Sequence, residues 1–233
     1  MPFSRSASPI SRASEFGVRA FIISGLLSAH CRAGPLIALD AGHFPEKPGV
    51  ISASGRPELE YNLALAANVK AELEQAGFDV RMIGQYESFG RRTREAKGAA
   101  LFVSLHHDSV REWLLPKAAK FSGYSLFISR HNPQMERSLV CASAIGAQMR
   151  GIGLKTSRYH ADRVLGENRP FADEENGVHY FDNLAVGRAA RMASVLIEPG
   201  VVVNPDDERR VTNPVMRRRI AAAIARGVRS CVQ

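Results

Sequence analysis

From Pro35 onward, short uninterrupted apolar runs alternate with stretches of helical spacing. Leu36-Ile37-Ala38-Leu39 reads as a buried strand, and Phe78 to Ile83, Leu101 to Leu105, Tyr124 to Ser129 and Ser194 to Ile197 read the same way. Short apolar runs bounded by turn signals are what strands covered on both faces look like. Between them, Pro57 to Ala76 carries Leu59, Leu63, Ala66, Val69, Leu73 and Ala76 at helical spacing, and Gly77 is placed to end the helix. Pro133 to Arg150 and Pro214 to Val228 read as two more helices. Strands alternating with helices predict an α/β fold, a single domain whose mostly parallel, twisted sheet is covered by helices on both faces.

Residues 1–33 break the pattern. They are rich in Ser and Arg, and an apolar run from Ala20 to Ala29 follows Arg12 and Arg19, as in the charged and apolar regions of a secretory signal. Glu15 is out of place in such a segment. The segment is expected to be an N-terminal extension, read as a signal peptide cleaved near Ala29 or Ala33, with a plain extension as the alternative. A periplasmic or cell-envelope location follows from the first reading alone. No run approaches the ~18 apolar residues that a membrane-spanning helix needs, so no transmembrane segment is expected.

Composition narrows the class. With 233 residues, 45% of them hydrophobic and 23% charged, the chain is neither a disordered tail nor a collagen-like repeat. Its 31 Lys and Arg against 23 Asp and Glu leave +8, and +5 remains once residues 1–32 are removed. Arg91, Arg92 and Arg94 form one basic cluster, and Arg217, Arg218 and Arg219 another. Such a surface favours polyanions. Nucleic acid is not expected as a partner, because no zinc-finger spacing and no basic stripe interleaved with aromatics is present. Cys31, Cys141 and Cys231 lie far apart with no CxxC pair, so no disulfide framework or zinc ribbon is expected. Any metal must then be held by His and carboxylates.

Candidate chemistry gathers at the ends of three strands. The first runs into Asp40-Ala41-Gly42-His43, the third into His106-His107-Asp108, and the late one into Glu198-Pro199-Gly200. In an open parallel sheet, ligands bind beyond the carboxyl ends of the strands. Glu58, behind Pro57 in the first turn of the long helix, can lie beside the same edge. Two imidazoles and a carboxylate suit a catalytic zinc site of the His2Glu type. Glu198 directly follows Val-Leu-Ile, where a carboxylate is costly unless paired, protonated or beside a cation. It is the candidate general base.

At these residues the chain resembles the zinc-dependent N-acetylmuramoyl-L-alanine amidases often called amidase type 3, which are bacterial cell-wall hydrolases. The resemblance runs from Leu36 to Val228. Ile37-Ala38-Leu39-Asp40-Ala41-Gly42-His43 is similar to the family's strand ending in Asp-Pro-Gly-His. Glu58 to Leu63 is similar to its Glu-x-x-x-Asn-Leu helix start, and Phe102 to His106 to its Phe-Ile-Ser-Ile-His. Val195 to Gly200, followed by Asn204-Pro205, resembles the segment with the catalytic Glu, and Gly177 to Arg191 its approach. Ala41 stands for the usual Pro, Phe44 for the Gly after the first His, and Pro199 after the Glu is unusual. Proline restricts the residue before it to extended conformations, which a strand end already has.

The resemblance implies zinc on His43, Glu58 and His106, with Glu198 as catalytic base and acid, and peptidoglycan as substrate. It makes residues 34–233 the catalytic domain and leaves room for an activating protein partner. Asp40 is a candidate to orient an imidazole from behind, and His107 and His160 are candidates to support the site or meet substrate. His179 and Asp182 also precede the catalytic segment and could line the cleft. Arg188 is a candidate partner for a stem-peptide carboxylate. Trp113, the single Trp, lies in a segment readable as a substrate-side flap or as a packing anchor. Two readings compete with the hydrolase: a non-catalytic peptidoglycan-binding protein on the same fold, and a zinc amidase or peptidase with another substrate.

Overall fold

Side chains alternate across a strand, and in Leu36–Ala41 (β1) Ile37, Leu39 and Ala41 turn to one side while Ala38 and Asp40 turn to the other. Both sides are buried. In this computed structural model, which describes residues 34–232, each side is covered by its own helices. The predicted extension over residues 1–33, with its signal-peptide reading, lies outside the described residues.

The other strands are Asp79–Met82 (β2), Leu101–Leu105 (β3), Ser125–Ile128 (β4), Phe171–Asp173 (β5), Val178–Tyr180 (β6) and Ala193–Glu198 (β7). They form one sheet in the order β2-β1-β3-β7-β4-β6-β5. The pairs β1–β2, β1–β3, β3–β7 and β4–β6 are parallel, and β4–β7 and β5–β6 are antiparallel. The sheet is therefore mixed, with parallel pairs in the majority.

Helices Glu58–Gln75 (α1), Met135–Gly151 (α3) and Pro214–Val232 (α6) cover one face, where Leu65, Val69, Ile145 and Ile224 pack against Ile37, Leu39, Val103 and Val195. The short helix Phe89–Glu95 (α2) lies on the opposite face, beside the cluster of Ala38, Phe102, Ala96 and Ala99. Helices Ala185–Ala189 (α4) and Pro205–Thr212 (α5) complete the fold. Among the described residues no helix is long and apolar enough to cross a membrane.

Three details depart from expectation. Leu63 is 43% exposed, because the buried stripe of α1 runs through Asn62, Leu65, Ala66, Val69 and Leu73. Arg92, grouped by sequence with a basic surface cluster, is only 2% exposed. Cys141 and Cys231, whose spacing predicts no disulfide framework, form a disulfide: α3 and α6 pack side by side and bring their Cα atoms to 5.2 Å across a separation of 90 residues. That distance suits a bridge, and sequence spacing gives no sign of it.

Candidate metal centre and cleft

Ala41, Leu105 and Ile197 stand in register across β1, β3 and β7. The residues that follow them therefore emerge together at one sheet edge. His106 and Glu198 are each one step past that register, and the His106 amide donates to the Ile197 carbonyl at 2.9 Å. From β1 the chain passes Gly42 to His43, then folds back through Pro48 and Val50 to the start of α1. The amides of Leu59 and Glu58 donate to the carbonyls of those two residues, each at 2.9 Å. Glu58 thus sits in the first turn of α1, where the positive end of the helix dipole favours a carboxylate.

The structure brings His43, Glu58 and His106 together. Nε2 of His43 lies 2.8 Å from one Glu58 oxygen, and Nδ1 of His106 lies 3.1 Å from the other. One ligand atom from each of the three falls within 4.8 Å of the others, a grouping able to hold a metal ion. Burial alone raises the Glu58 carboxyl, but hydrogen bonds to His106 and His43 and their charges outweigh it, leaving Glu58 ionised well below the usual carboxylate range. Two ring nitrogens and an ionised carboxylate oxygen are the donor set a catalytic zinc takes.

Close approach at two glycines makes this cluster possible. A Cβ on Gly42 would fall 2.1 Å from Nε2 of His106, and one on Gly49 would fall 2.4 Å from Oε2 of Glu58. His43 itself has φ of +73°, in the left-handed region that few side chains adopt.

Surrounding side chains hold this cluster in place. The Asn62 amide, one helical turn after Glu58, donates to Oε1 of Glu58 and to the Gly42 carbonyl, each at 3.2 Å, and its oxygen accepts from Nδ1 of His107 at 2.8 Å. The His107 backbone amide also donates to Oε1 of Glu58, at 3.0 Å. Burial lowers the His107 imidazole to about 3, so its ring is a neutral strut behind the site. Asp40 reaches no imidazole. It accepts from the Ser104 hydroxyl at 2.7 Å and pairs with Arg92 at 3.2 Å, and Arg92 in turn donates to the His43 carbonyl at 2.7 Å.

Glu198 closes β7, paired with Ser125 of β4, so the extended backbone that Pro199 demands is already in place. Burial raises its carboxyl first, and the neighbouring Asp108 charge adds to this; His160 and His106 oppose them, and the result is about 7. Oε2 of Glu198 is buried without a hydrogen-bond partner. A second grouping able to hold a metal consists of Asp108, His160 and Glu198.

His43, Glu58, His106, Asp108, His160 and Glu198 line a cleft of about 380 Å³, together with Arg111, Arg169, Phe89 and Phe181. Arg188 is exposed on α4 and does not line it; Leu184 and Ala185 do. Trp113 is 57% exposed and also outside the lining, while Leu114 beside it is the packing anchor, buried with Val110, Tyr159 and Val201. His179 is buried between Phe127 and Phe171, and burial lowers its imidazole to about 4. Asp182 pairs with Arg130.

Sequence reading gives no role to Arg92, Asp108 or Glu167, and none to Asn62 as the brace of Glu58. Only Asn62 carried a local signal, since it stands four residues after Glu58 on the same helical face.

Solved structures share this fold. The N-acetylmuramyl-L-alanine amidase Ami1 from Mycobacterium smegmatis superimposes with a TM-score of 0.68 at 21% identity, covering 86% of this chain and 97% of that one. Among curated proteins, N-acetylmuramoyl-L-alanine amidase AmiC of Neisseria meningitidis is 31% identical over 218 residues, covering 83% of this chain and 52% of AmiC. AmiA of Salmonella typhimurium is 26% identical, with 83% of this chain and 74% of AmiA covered. The chain thus spans about half the length of AmiC and three quarters of AmiA. The family model described as N-acetylmuramoyl-L-alanine amidase matches residues 37–230, a span that takes in every residue of the cleft. By that match this chain belongs to the N-acetylmuramoyl-L-alanine amidase family.

Proposed function

We propose that the chain hydrolyses the amide between the lactyl group of N-acetylmuramic acid and the L-alanine of the stem peptide in peptidoglycan. The observation that carries this reading is the convergence of His43, Glu58 and His106 beside a buried carboxylate oxygen of Glu198 that has no hydrogen-bond partner. Family membership supports the substrate.

His43, Glu58 and His106 are the residues that would hold zinc. When bound there, zinc supplies Lewis-acid polarisation of the scissile carbonyl and lowers the pKa of water from 15.7 to about 7. Glu198, with a carboxyl near neutrality, accepts a proton from the attacking water as the new C–O bond forms. It then delivers that proton to the L-alanine nitrogen as the C–N bond breaks, leaving a lactyl carboxylate and a free amine. Such a base and acid contributes about 10²–10⁴-fold. Asn62 and Arg92 keep the ligands in place throughout.

The Cys141–Cys231 disulfide supports an oxidising compartment such as a cell envelope, in line with the signal-peptide reading. The experiment is digestion of purified sacculi. New L-alanine N-termini with intact glycan strands are expected, lost on chelation and in Glu198→Ala, from a protein holding about one zinc per chain. Release of disaccharides, or hydrolysis indifferent to chelation, would overturn the proposal.

A further inference from the structure

His160 lies in a turn between α3 and β5, outside the proposed ligand set, yet it is the most heavily committed imidazole in the cleft. Its Nδ1 is 2.7 Å from Oε2 of Glu167, and its Nε2 is 2.8 Å from Oδ2 of Asp108 and 3.6 Å from Oε2 of Glu198. The ring is 4% exposed at the side chain. It is wedged edge-on against Phe127, with ring centroids 4.9 Å apart, and flanked by Tyr159 and His179. Glu167 is itself anchored by Arg169 at 2.8 Å, and the Arg169 guanidinium lies over the Phe181 ring at 3.5 Å. An ordered chain, Arg169–Glu167–His160, therefore runs from the cleft wall to the two carboxylates at the sheet edge.

We infer that His160 is the positioning residue for Glu198, an imidazolium clamped by Glu167 that holds Asp108 through one N–H and steadies the Glu198 carboxylate beside it. The inference rests on the reading of Glu198 as the base. A carboxylate oxygen lies within hydrogen-bond distance of each ring nitrogen, an arrangement met by a ring that donates from both. The groups at the ring nitrogens agree with that state: Asp108, Glu167 and Glu198 are acidic, the nearby His179 is held neutral by burial, and the cation Arg111 acts on Glu167. The cation Arg169 faces the ring only across Glu167. Burial opposes the charge on His160, but the fields and hydrogen bonds of the carboxylates overcome it and lift the imidazole well above its ordinary range.

Function follows from the geometry. Three carboxylates in one buried corner would repel one another, and Glu198 would turn outward or stay protonated, useless as a base. A fixed cation between them keeps the Glu198 oxygen in place and available to ionise. Because the contact to Glu198 is 3.6 Å, beyond a hydrogen bond, His160 can hold the carboxylate by charge without blocking the oxygen that must take the proton.

The test combines ¹⁵N-histidine NMR with kinetics on the zinc-loaded protein. One ring bearing two N–H protons near pH 7.5 is expected, absent from His160→Gln. In that variant kcat falls by about tenfold or more while KM and zinc content stay within about twofold of wild type. Glu167→Gln, a milder change at a more exposed position, lowers kcat less and shifts the same ring resonances. A neutral His160 ring, a ring nitrogen shifted by direct metal contact, a second zinc per chain lost in His160→Gln, or unchanged kcat would each overturn the inference. If the wild-type protein hydrolyses nothing, the proposed function fails, while the NMR signature and metal stoichiometry still decide the state of His160.

Discussion

Arg92 donates from Nη2 to the backbone carbonyl of His43 at 2.7 Å, and this contact ties a buried ion pair to the strained residue of the candidate metal centre. His43 has φ of +73°, a conformation that persists only where its surroundings enforce it. Arg92 enforces it with three contacts: the carbonyls of His43 and Tyr86 and the carboxylate of Asp40. The Asp40 carboxylate is completely buried, and in register its residue is the β1 partner of Ser104, whose hydroxyl satisfies it further.

Arg92→Met should therefore damage both stability and metal binding. Removing one partner of a buried ion pair costs about 3–5 kcal/mol, because the other charge is left uncompensated. Asp40→Asn in the same chain should return part of the stability, read as the midpoint of denaturant unfolding, but not the zinc affinity, since the His43 carbonyl still lacks its donor. Full recovery of zinc affinity in the double variant would show that Arg92 does not support His43.

Gly42→Ala separates the site from the fold. The added methyl would sit 2.1 Å from Nε2 of His106, so the ring must swing out of the cluster. The expected loss is roughly tenfold or more in zinc affinity, the scale of changes that misorient a ligand. Stability should fall by only about 1–3 kcal/mol, as for modest overpacking. Zinc titration followed by competition with a chelator checks this, and an unchanged dissociation constant would refute the crowding argument.

What could be read from the sequence follows the strength of local pattern. β1, β3 and β7 are buried on both faces, so their apolar runs stand out, and their aligned ends made His43, His106 and Glu198 visible as one set. The helix carrying Glu58 is long enough for its period to show. Three-residue strands such as β5 and β6 have too few positions to reveal alternation. Helix α5 did carry signals, with Asn204 capping the amide of Asp206 at 2.8 Å and Pro205 in its first turn, yet its residues are mostly charged and offer little apolar stripe. Arg92 reads as surface charge because its partner Asp40 is 52 residues away. His160 reads as a lone imidazole, since Asp108 and Glu198 meet it only through tertiary structure and Glu167, seven residues on, follows no regular spacing.

The Cys141–Cys231 bridge closes a loop of about 90 residues between two helices of the same face. For loops of this length the chain-entropy model gives about 4–5 kcal/mol, with measured values ranging lower. Reduction, or Cys231→Ser, should lower the melting temperature clearly while leaving the cleft intact, because Cys141 and Cys231 lie on α3 and α6 and no cleft residue belongs to either helix. Thermal melts with and without reductant test this, alongside activity at room temperature. A melting temperature indifferent to reductant would mean the bridge contributes nothing.

Glu198 predicts a pH dependence of stability whose sign is opposite to that of an ordinary paired carboxylate. Its carboxyl is raised from 4.5 to about 7, chiefly by burial and then by Asp108. Between those two values the folded chain binds more protons than the unfolded one, so the contribution of this group is fully present below pH 4.5 and is lost as pH rises through 7. Ionising Glu198 in the metal-stripped protein thus costs stability, up to about 3 kcal/mol at roughly 1.4 kcal/mol per unit. Glu198→Gln keeps the shape and removes the ionisation. In chelated protein the variant should melt close to wild type at pH 5 and several degrees higher at pH 8. A divalent ion beside the carboxylate favours its charged form, so restoring zinc should shrink the difference at pH 8. An equal shift at both pH values would show that burial of an ionised Glu198 is not what the variant relieves, and would remove the physical basis for a base poised near neutrality.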